Sequence, residues 1–293
     1  MALVTHCVVA MLTIFSIPKA FVGHTKIIQD NAIGSWTRLG AGCDIVLMGD
    51  DPGVADAALR HGVPHESSIA RNDYGTPLIS NIFHRMNALT RQSIVGFVNS
   101  DIVLLDDFLP AIDAVARCHE KFLIVASRFN CCIDYAMSFG NGWAAELRQR
   151  ARSEGRMYPA AGSDIFIFSR GLFREVPPFA IGRGYWDNWL MREARRAGAD
   201  LVDVTSAVTT IHQIHSYNTV AGVPAGSSTD VHVYETEEGR RNLELAGGRS
   251  RLHTVFDATR IMSKNRRLRV SWNPLLIRRR VKASLRRIIH LYR

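Results

Sequence analysis

At 293 residues, with 47% hydrophobic and 22% charged side chains, the chain has the composition of a globular protein, which excludes global disorder. Its formal net charge of +9 resides at one end: Lys264 to Arg293 carries eleven Lys or Arg and no acid, leaving about −2 on the first 263 residues. Nucleic-acid enzymes spread positive charge over a working face, and no zinc-finger spacing or ribonucleoprotein-type aromatic motif is present, so nucleic acid is excluded as the partner.

The amino terminus, Ala2 to Pro18, is apolar but lacks the basic start of a signal peptide and is short for a membrane span. The cysteines, Cys7, Cys43, Cys118, Cys131 and Cys132, are odd in number and have no CxxC spacing. They read as ordinary thiols of a reducing compartment, and a cytoplasmic location is expected.

Met11–Ser16 is an apolar run that predicts a buried parallel strand. Ile27, Ile28, Ala32 and Trp36 then fall at helical spacing. Cys43–Met48 predicts a second strand closing in Gly49-Asp50-Asp51, with Asp51-Pro52 as cap and first turn of a helix over Gly53–His61. Pro77 opens a helix with Leu78, Ile82, Phe83, Met86 and Leu89 on one side. Ile94–Val98 predicts a strand that stops at Asn99-Ser100-Asp101, Phe108–Arg117 a helix and Phe122–Ala126 a strand. This alternation implies an α/β fold with a mostly parallel central sheet flanked by helices. Further on, Ile165–Ser169, Leu201–Val204 and Val208–Ile211 predict strands, Trp186–Ala197 and Glu235–Ala246 helices, and Thr219–Asp230 a loop. One domain over 1–263 and a basic tail over 264–293 are expected.

Ligands of such sheets bind beyond the carboxyl ends of the strands. Three strand ends carry suitable groups: Ser16-Ile17-Pro18-Lys19, Gly49-Asp50-Asp51 and Asn99-Ser100-Asp101. Asn99 and Asp101, two residues apart past a buried strand, point the same way and can share Mg²⁺ or Mn²⁺, which take hard oxygen ligands. Asn-x-Asp also suits a turn, but Asp106-Asp107 already supplies a cap for the next helix.

The strand Ile94–Val98 with Asn99-Ser100-Asp101-Ile102, the preceding Arg71-Asn72-Asp73-Tyr74-Gly75-Thr76-Pro77, and the later Gly184-Tyr185-Trp186-Asp187-Asn188-Trp189 and His212-Gln213-Ile214-His215 resemble the GT-A glycosyltransferases. That is the nucleotide-diphospho-sugar transferase fold, and the resemblance spans roughly residues 11 to 260. It implies a nucleotide-sugar donor, a divalent metal (Mn²⁺ or Mg²⁺) and a glycan or lipid-linked acceptor. In the family an Asp-x-Asp motif binds metal and diphosphate; here Asn99 replaces the first Asp, so a weaker or metal-independent site is open. The resemblance sets Ser16, Pro18, Lys19, Asp50, Asp51, Asn72, Thr76, Asn99, Ser100 and Asp101 along the donor. It makes Asp187, at the start of a late helix, the general base of an inverting transfer, with Trp186 and Trp189 stacking on sugar. Asp187 equally suits a helix cap, and the tryptophans a core. Asp164, after a small-residue loop, is expected at the donor sugar. His212 or His215 would complete the metal site, one rather than both, with His212 ahead.

Leu275, Leu276, Ile277, Val281, Leu285, Ile288, Ile289 and Leu291 interleave with basic residues, a pattern suited to an anionic membrane surface or to a solvated helix. A peripheral position at the inner membrane face, through 270–293, is therefore a further expectation. A sugar-nucleotide pyrophosphorylase or a dinucleotide oxidoreductase would need a Gly-rich phosphate loop after the first strand, and Ser16–Lys19 has none. A non-catalytic nucleotide- or sugar-binding module stays open beside the enzyme.

Overall fold

A computed structural model describes residues 11–158, 163–215 and 234–271. Among the described residues the main sheet has nine strands. Its first half is built from β1 (Leu12–Ser16), α1 (Gly23–Trp36), β2 (Cys43–Met48), α2 (Val54–His61), the two-residue β3 (His65–Glu66), α3 (Ile79–Leu89) and β4 (Ile94–Val98). β3, β2, β1 and β4 lie side by side and parallel. The chain steps outward from β1 to β3, then returns to the other side of β1 to lay down β4. The switch point therefore lies between the carboxyl ends of β1 and β4, where ligands of open α/β sheets bind.

After β5 (Ile102–Leu104) and α4 (Phe108–Cys118), the chain forms β6 (Phe122–Val125), β7 (Phe129–Cys131), α5 (Trp143–Ser153), β8 (Arg156–Met157) and β9 (Ile165–Ser169). It continues through α6 (Trp186–Arg196), β10 (Asp200–Asp203), β11 (Thr210–Gln213), α7 (Glu237–Leu245), β12 (Arg260–Met262) and β13 (Leu268–Val270). β9 is antiparallel to both β4 and β6, which flank it. β10 and β12 continue the parallel direction, and β13 closes the edge antiparallel. β5, β11, β7 and β8 form a second sheet in that order, and its strand β5 follows the turn after β4.

Alternation along the strands makes three layers. Leu12, Ile14, Ile94 and Val98 pack against Trp36 of α1, Ala57 of α2 and Phe108 of α4. Phe15, Val95 and Phe97 face the other way, onto Phe83 of α3 and Trp186, Trp189 and Leu190 of α6. Strands buried on both faces read as unbroken apolar runs, which is why β1, β2, β4 and β9 were visible in the sequence.

Several expectations need correction. α2 begins at Val54, with Gly53 at φ 85 as its cap, and Asp51 makes no side-chain cap. Asp107 precedes α4 without capping it; its carboxylate accepts from the Thr209 N–H and from Arg148, tying β11 and α5 to the domain. β5, β7 and β8 are too short for a periodic signature, and α5 is largely polar. β13 lies beyond residue 263, so the described start of the basic segment is sheet. Its amphipathic stretch from 275 onward, Cys7, and the loop over 219–230 lie outside the described residues. The other four cysteines are free thiols. Among the described residues no helix is long and apolar enough to cross a membrane.

Candidate active site

The turn after β4 places Asp101 beside the second sheet. β11 runs antiparallel to β5, with His212 opposite Ile102, so strand register alone brings His212 next to Asp101. The sequence placed this strand two residues early, ending at Ile211 rather than Gln213. His215, just past the strand, also turns back. His212 Nε2 lies 3.6 Å and His215 Nε2 3.0 Å from Asp101 Oδ2. One ligand atom from each of the three residues falls within 4.8 Å of the others. Both imidazoles meet the carboxylate, not one of them.

Two buried polar atoms here have no hydrogen-bond partner among the described residues: Asp101 Oδ1 and His212 Nδ1. Buried polar atoms are satisfied in the great majority of cases, so an orphan beside a carboxylate–imidazole cluster fits a cation-binding site. Burial pushes the Asp101 carboxyl up, but His212 and His215 outweigh it and hold the group well below the usual carboxylate range. It is a carboxylate, ready to ligate.

Asn99 makes a different contact. Its Nδ2 donates to Asp164 Oδ1 at 2.7 Å. Because β9 is antiparallel to β4, its amino-terminal end sits beside the carboxyl end of β4, and Asp164 arrives next to Asn99. Arg128, in the turn after β6, donates to Asp164 Oδ2. The sequence reading passed over Arg128; one arginine between two short strands gave no signal.

Asp187 lies in the first turn of α6 and is half-buried. Desolvation pushes its carboxyl to about 7; bonds from backbone N–H groups and the Arg128 charge pull down, while the Asp164 charge pushes up. A carboxyl in that range exchanges protons near neutrality, and such groups cluster at catalytic sites. The entry to α6 is strained. Tyr185, a bulky residue, sits at φ 67, flanked by Gly184 at φ 74, where an added Cβ would run into the Tyr234 ring.

Trp186 and Trp189 correct the expectation. They are 5% and 6% exposed and pack into the aromatic core, Trp186 edge-on to Phe97 at 5.6 Å and Trp189 against Phe179 at 5.5 Å. Spaced three apart, they share the sheet-facing side of α6 and leave no ring face for a sugar. Ser16 is likewise fully buried, its hydroxyl donating to the Val98 carbonyl at 2.6 Å, so it braces β1 against β4 and cannot reach a nucleotide.

Lys19 is exposed at the loop after β1; its pKa is lowered by desolvation, and the Asp101 charge acts against that lowering while the Arg183 charge adds to it. Its backbone is pinned by Gln29, which accepts from the Lys19 N–H at 2.7 Å and from the Ser100 hydroxyl at 3.1 Å. Three buried amides brace the cluster, Gln29 and Asn31 from α1 and Gln213 from β11. Asn31 Nδ2 donates to Gln213 Oε1 at 2.9 Å, and Gln213 Nε2 to the Asp101 carbonyl at 3.2 Å. The sequence trace of the two on α1 is that Gln29 and Asn31 stand among the apolar residues Ile27, Ile28, Ala32 and Ile33.

Pro18 is buried. Asp50 and Asp51 are held by Arg71, at 2.6 and 2.7 Å, at the end of β2. Asn72 organises its own turn, accepting from the Tyr74 and Thr76 N–H groups at 3.0 and 2.9 Å, and donates to Glu238 of α7 at 2.7 Å. Glu238 forms a buried ion pair with Arg183 at 2.6 Å, and Arg183 also faces the Thr76 hydroxyl at 3.4 Å. Asn72 and Thr76 thus bind α7 to the loop. A separate cavity of about 530 Å³, lined by Thr13, Cys43, His61, His65 and Thr90 among others, opens at the amino-terminal edge of the strands, away from these carboxylates.

No protein-family model matches the chain, and no curated protein matches it in sequence. Among solved structures it is similar to TarS residues 1–349 of S. aureus in complex with UDP-GlcNAc, with a TM-score of 0.50 and 10% identity. The similarity covers 80% of this chain and 65% of that one, so the chain spans about two-thirds of its relative's length. The fold is GT-A. Glucosyl-3-phosphoglycerate synthase of Mycobacterium tuberculosis, in complex with Mn²⁺, UDP and glucosyl-3-phosphoglycerate, is similar at a TM-score of 0.45 and 15% identity, over 82% of this chain and 81% of that one. On the GT-A frame the Asp101 cluster sits at the switch point, with Asp164 and Asp187 along the same edge of the sheet.

Proposed function

We propose that this chain is a glycosyltransferase that moves a sugar from a nucleoside-diphosphate donor to an acceptor hydroxyl with inversion. One observation carries the reading: Asp101, His212 and His215 converge at the switch point of a GT-A sheet, with Asp101 Oδ1 buried and unpartnered among the described residues. These three residues would hold a divalent cation. Two imidazoles and one carboxylate suit Mn²⁺ better than Mg²⁺, which prefers oxygen ligands throughout. When bound, the cation neutralises the charge that develops on a departing diphosphate.

The chain's own groups supply the rest. Lys19, pinned by Gln29, adds a positive charge beside Asp101 for the diphosphate. Asp187, ionised above about pH 7, accepts the proton of the acceptor hydroxyl as that oxygen attacks the anomeric carbon. Attack comes from the face opposite the leaving diphosphate, which inverts the centre. Asp164, fixed from both sides, faces the sugar. A carboxyl near 7 at the rim favours catalysis over a binding module, which has no use for a base.

The test is a panel of nucleotide sugars screened for protection against thermal unfolding, UDP-sugars first since TarS was crystallised with UDP-GlcNAc. A donor that raises the melting temperature only with Mn²⁺, and is consumed by wild type but not by Asp187→Asn, supports the enzyme. Binding without consumption in both proteins establishes the module instead.

A further inference from the structure

Asn99 stands two residues before Asp101, where a second metal-binding carboxylate is expected, yet the nitrogen of its amide is turned to another partner. Nδ2 donates to Asp164 Oδ1 at 2.7 Å, and the Asn99 backbone N–H donates to the Asp164 carbonyl at 3.0 Å. The other carboxylate oxygen of Asp164 accepts from Arg128. Arg128 is itself fixed: Nε donates to Asn130 Oδ1 at 3.1 Å, and the guanidinium lies 4.4 Å over the Tyr158 ring.

The three residues form a row. β9 lies between β4 and β6, and all three strands end or begin at this edge. Asn99 follows β4, Asp164 precedes β9 and Arg128 follows β6, so adjacent strands each contribute one group. Asp164 is gripped from the left by an amide and from the right by a cation. An Asp at position 99 would set one carboxylate against another at hydrogen-bond distance, where like charges repel. The amide can donate. Asn is therefore the residue that Asp164 demands of position 99, and the metal finds its second and third ligands on and just past β11.

We propose that Asn99 is a positioning residue, holding the Asp164 carboxylate with Arg128 beside Asp187 and taking no part in binding the metal. This deepens the transferase reading and rests on it. Asp187, in the first turn of α6, is within electrostatic reach of the row, the charges of Asp164 and Arg128 acting on it in opposite directions. The departure from Asp-x-Asp is on this view a relocation of ligands, not a decayed site.

The experiment compares wild type with Asn99→Asp, Asn99→Ala, Asp164→Asn, the Asn99→Ala/Asp164→Asn double variant and Asp101→Ala. Mn²⁺ binding is read from loss of the free-ion electron paramagnetic resonance signal, UDP affinity by calorimetry, and kcat with the donor selected by the thermal screen. Asn99→Asp is expected to bind Mn²⁺ no more tightly than wild type. Asn99→Ala and Asp164→Asn should each lower kcat about tenfold or more, with the Kd for UDP unchanged, as for a displaced catalytic group. The double variant should be no worse than the poorer single variant, the signature of residues acting as one unit. Mn²⁺ bound tenfold more tightly by Asn99→Asp, or effects that multiply in the double variant, would overturn the proposal. Asp101→Ala judges the underlying metal assignment separately: wild-type Mn²⁺ affinity there sinks that assignment, whatever the Asn99 variants do.

Discussion

Replacing Asp187 by Asn should make the protein more stable and less active, by amounts the structure sets. The carboxyl is pushed from 3.8 to about 7, so ionising it in the folded chain costs about 4 kcal/mol more than in the unfolded chain. Asp187 is half-buried, and solvent screening brings a working figure to about 2 kcal/mol. The sign follows from linkage. A carboxyl with a raised folded-state pKa binds its proton more tightly when folded, so it erodes stability as pH rises from about 4 through about 7. The neutral amide of Asp187→Asn escapes that erosion. Its melting temperature should exceed that of wild type by about 4 °C at pH 8, the gap narrowing steadily toward pH 4. Turnover should fall on the order of 100-fold or more, the usual contribution of a general base. Scanning calorimetry across that pH range, with transfer assays on the same samples, measures both. A variant no more stable than wild type at pH 8 would show that the carboxyl is not desolvated. A variant with near wild-type turnover would remove Asp187 as the base.

Wild-type kcat should rise with pH and level off just above about 7, as Asp187 ionises; a flat profile from pH 5 to 8 would contradict this assignment. Glu238→Ala leaves Arg183 buried without its partner, and chemical denaturation should show a loss of about 3 kcal/mol. Trp186→Ala should cost about 3–5 kcal/mol in the same assay, while Trp186→Phe keeps its KM for the acceptor, since the ring packs on Phe97 and Phe166 and meets no sugar. Deleting residues 272–293, whose basic and apolar residues interleave, should abolish co-sedimentation with anionic vesicles without lowering the melting temperature; undiminished co-sedimentation refutes membrane attachment through the tail.

The central sheet was legible because β1, β2, β4 and β9 are buried on both faces, and such strands write themselves as apolar runs. The short strands of the second sheet were not. β5 follows the Asn99–Asp101 turn with three residues, and β7 mixes Phe129 with Asn130; neither has room for a period. Missing them hid the register that sets His212 against Asp101. Asp101 was identified by its place after a buried strand, and its partners by a late His-x-x-His, although no spacing rule could show that His215 turns back. Residue type misled at the late helix. Tryptophans beside an acid suggest a sugar platform, but their spacing of three on α6 turns both toward the sheet. The contact of Asn99 with Asp164 was not legible either, because Asp164 is 65 residues away and arrives through an antiparallel pairing. Arg128, Gln29 and Gln213 act through contacts between distant segments and left almost no local trace.

The claim on which the rest depends is that Asp101, His212 and His215 hold a divalent cation against a nucleoside diphosphate. Calorimetric titration of UDP into wild type and Asp101→Ala, each with and without Mn²⁺, tests it most directly. Binding by wild type only when Mn²⁺ is present, and its loss in an Asp101→Ala protein that still melts cooperatively, is the predicted result. UDP affinity that is the same with and without Mn²⁺, or unchanged in Asp101→Ala, would contradict it.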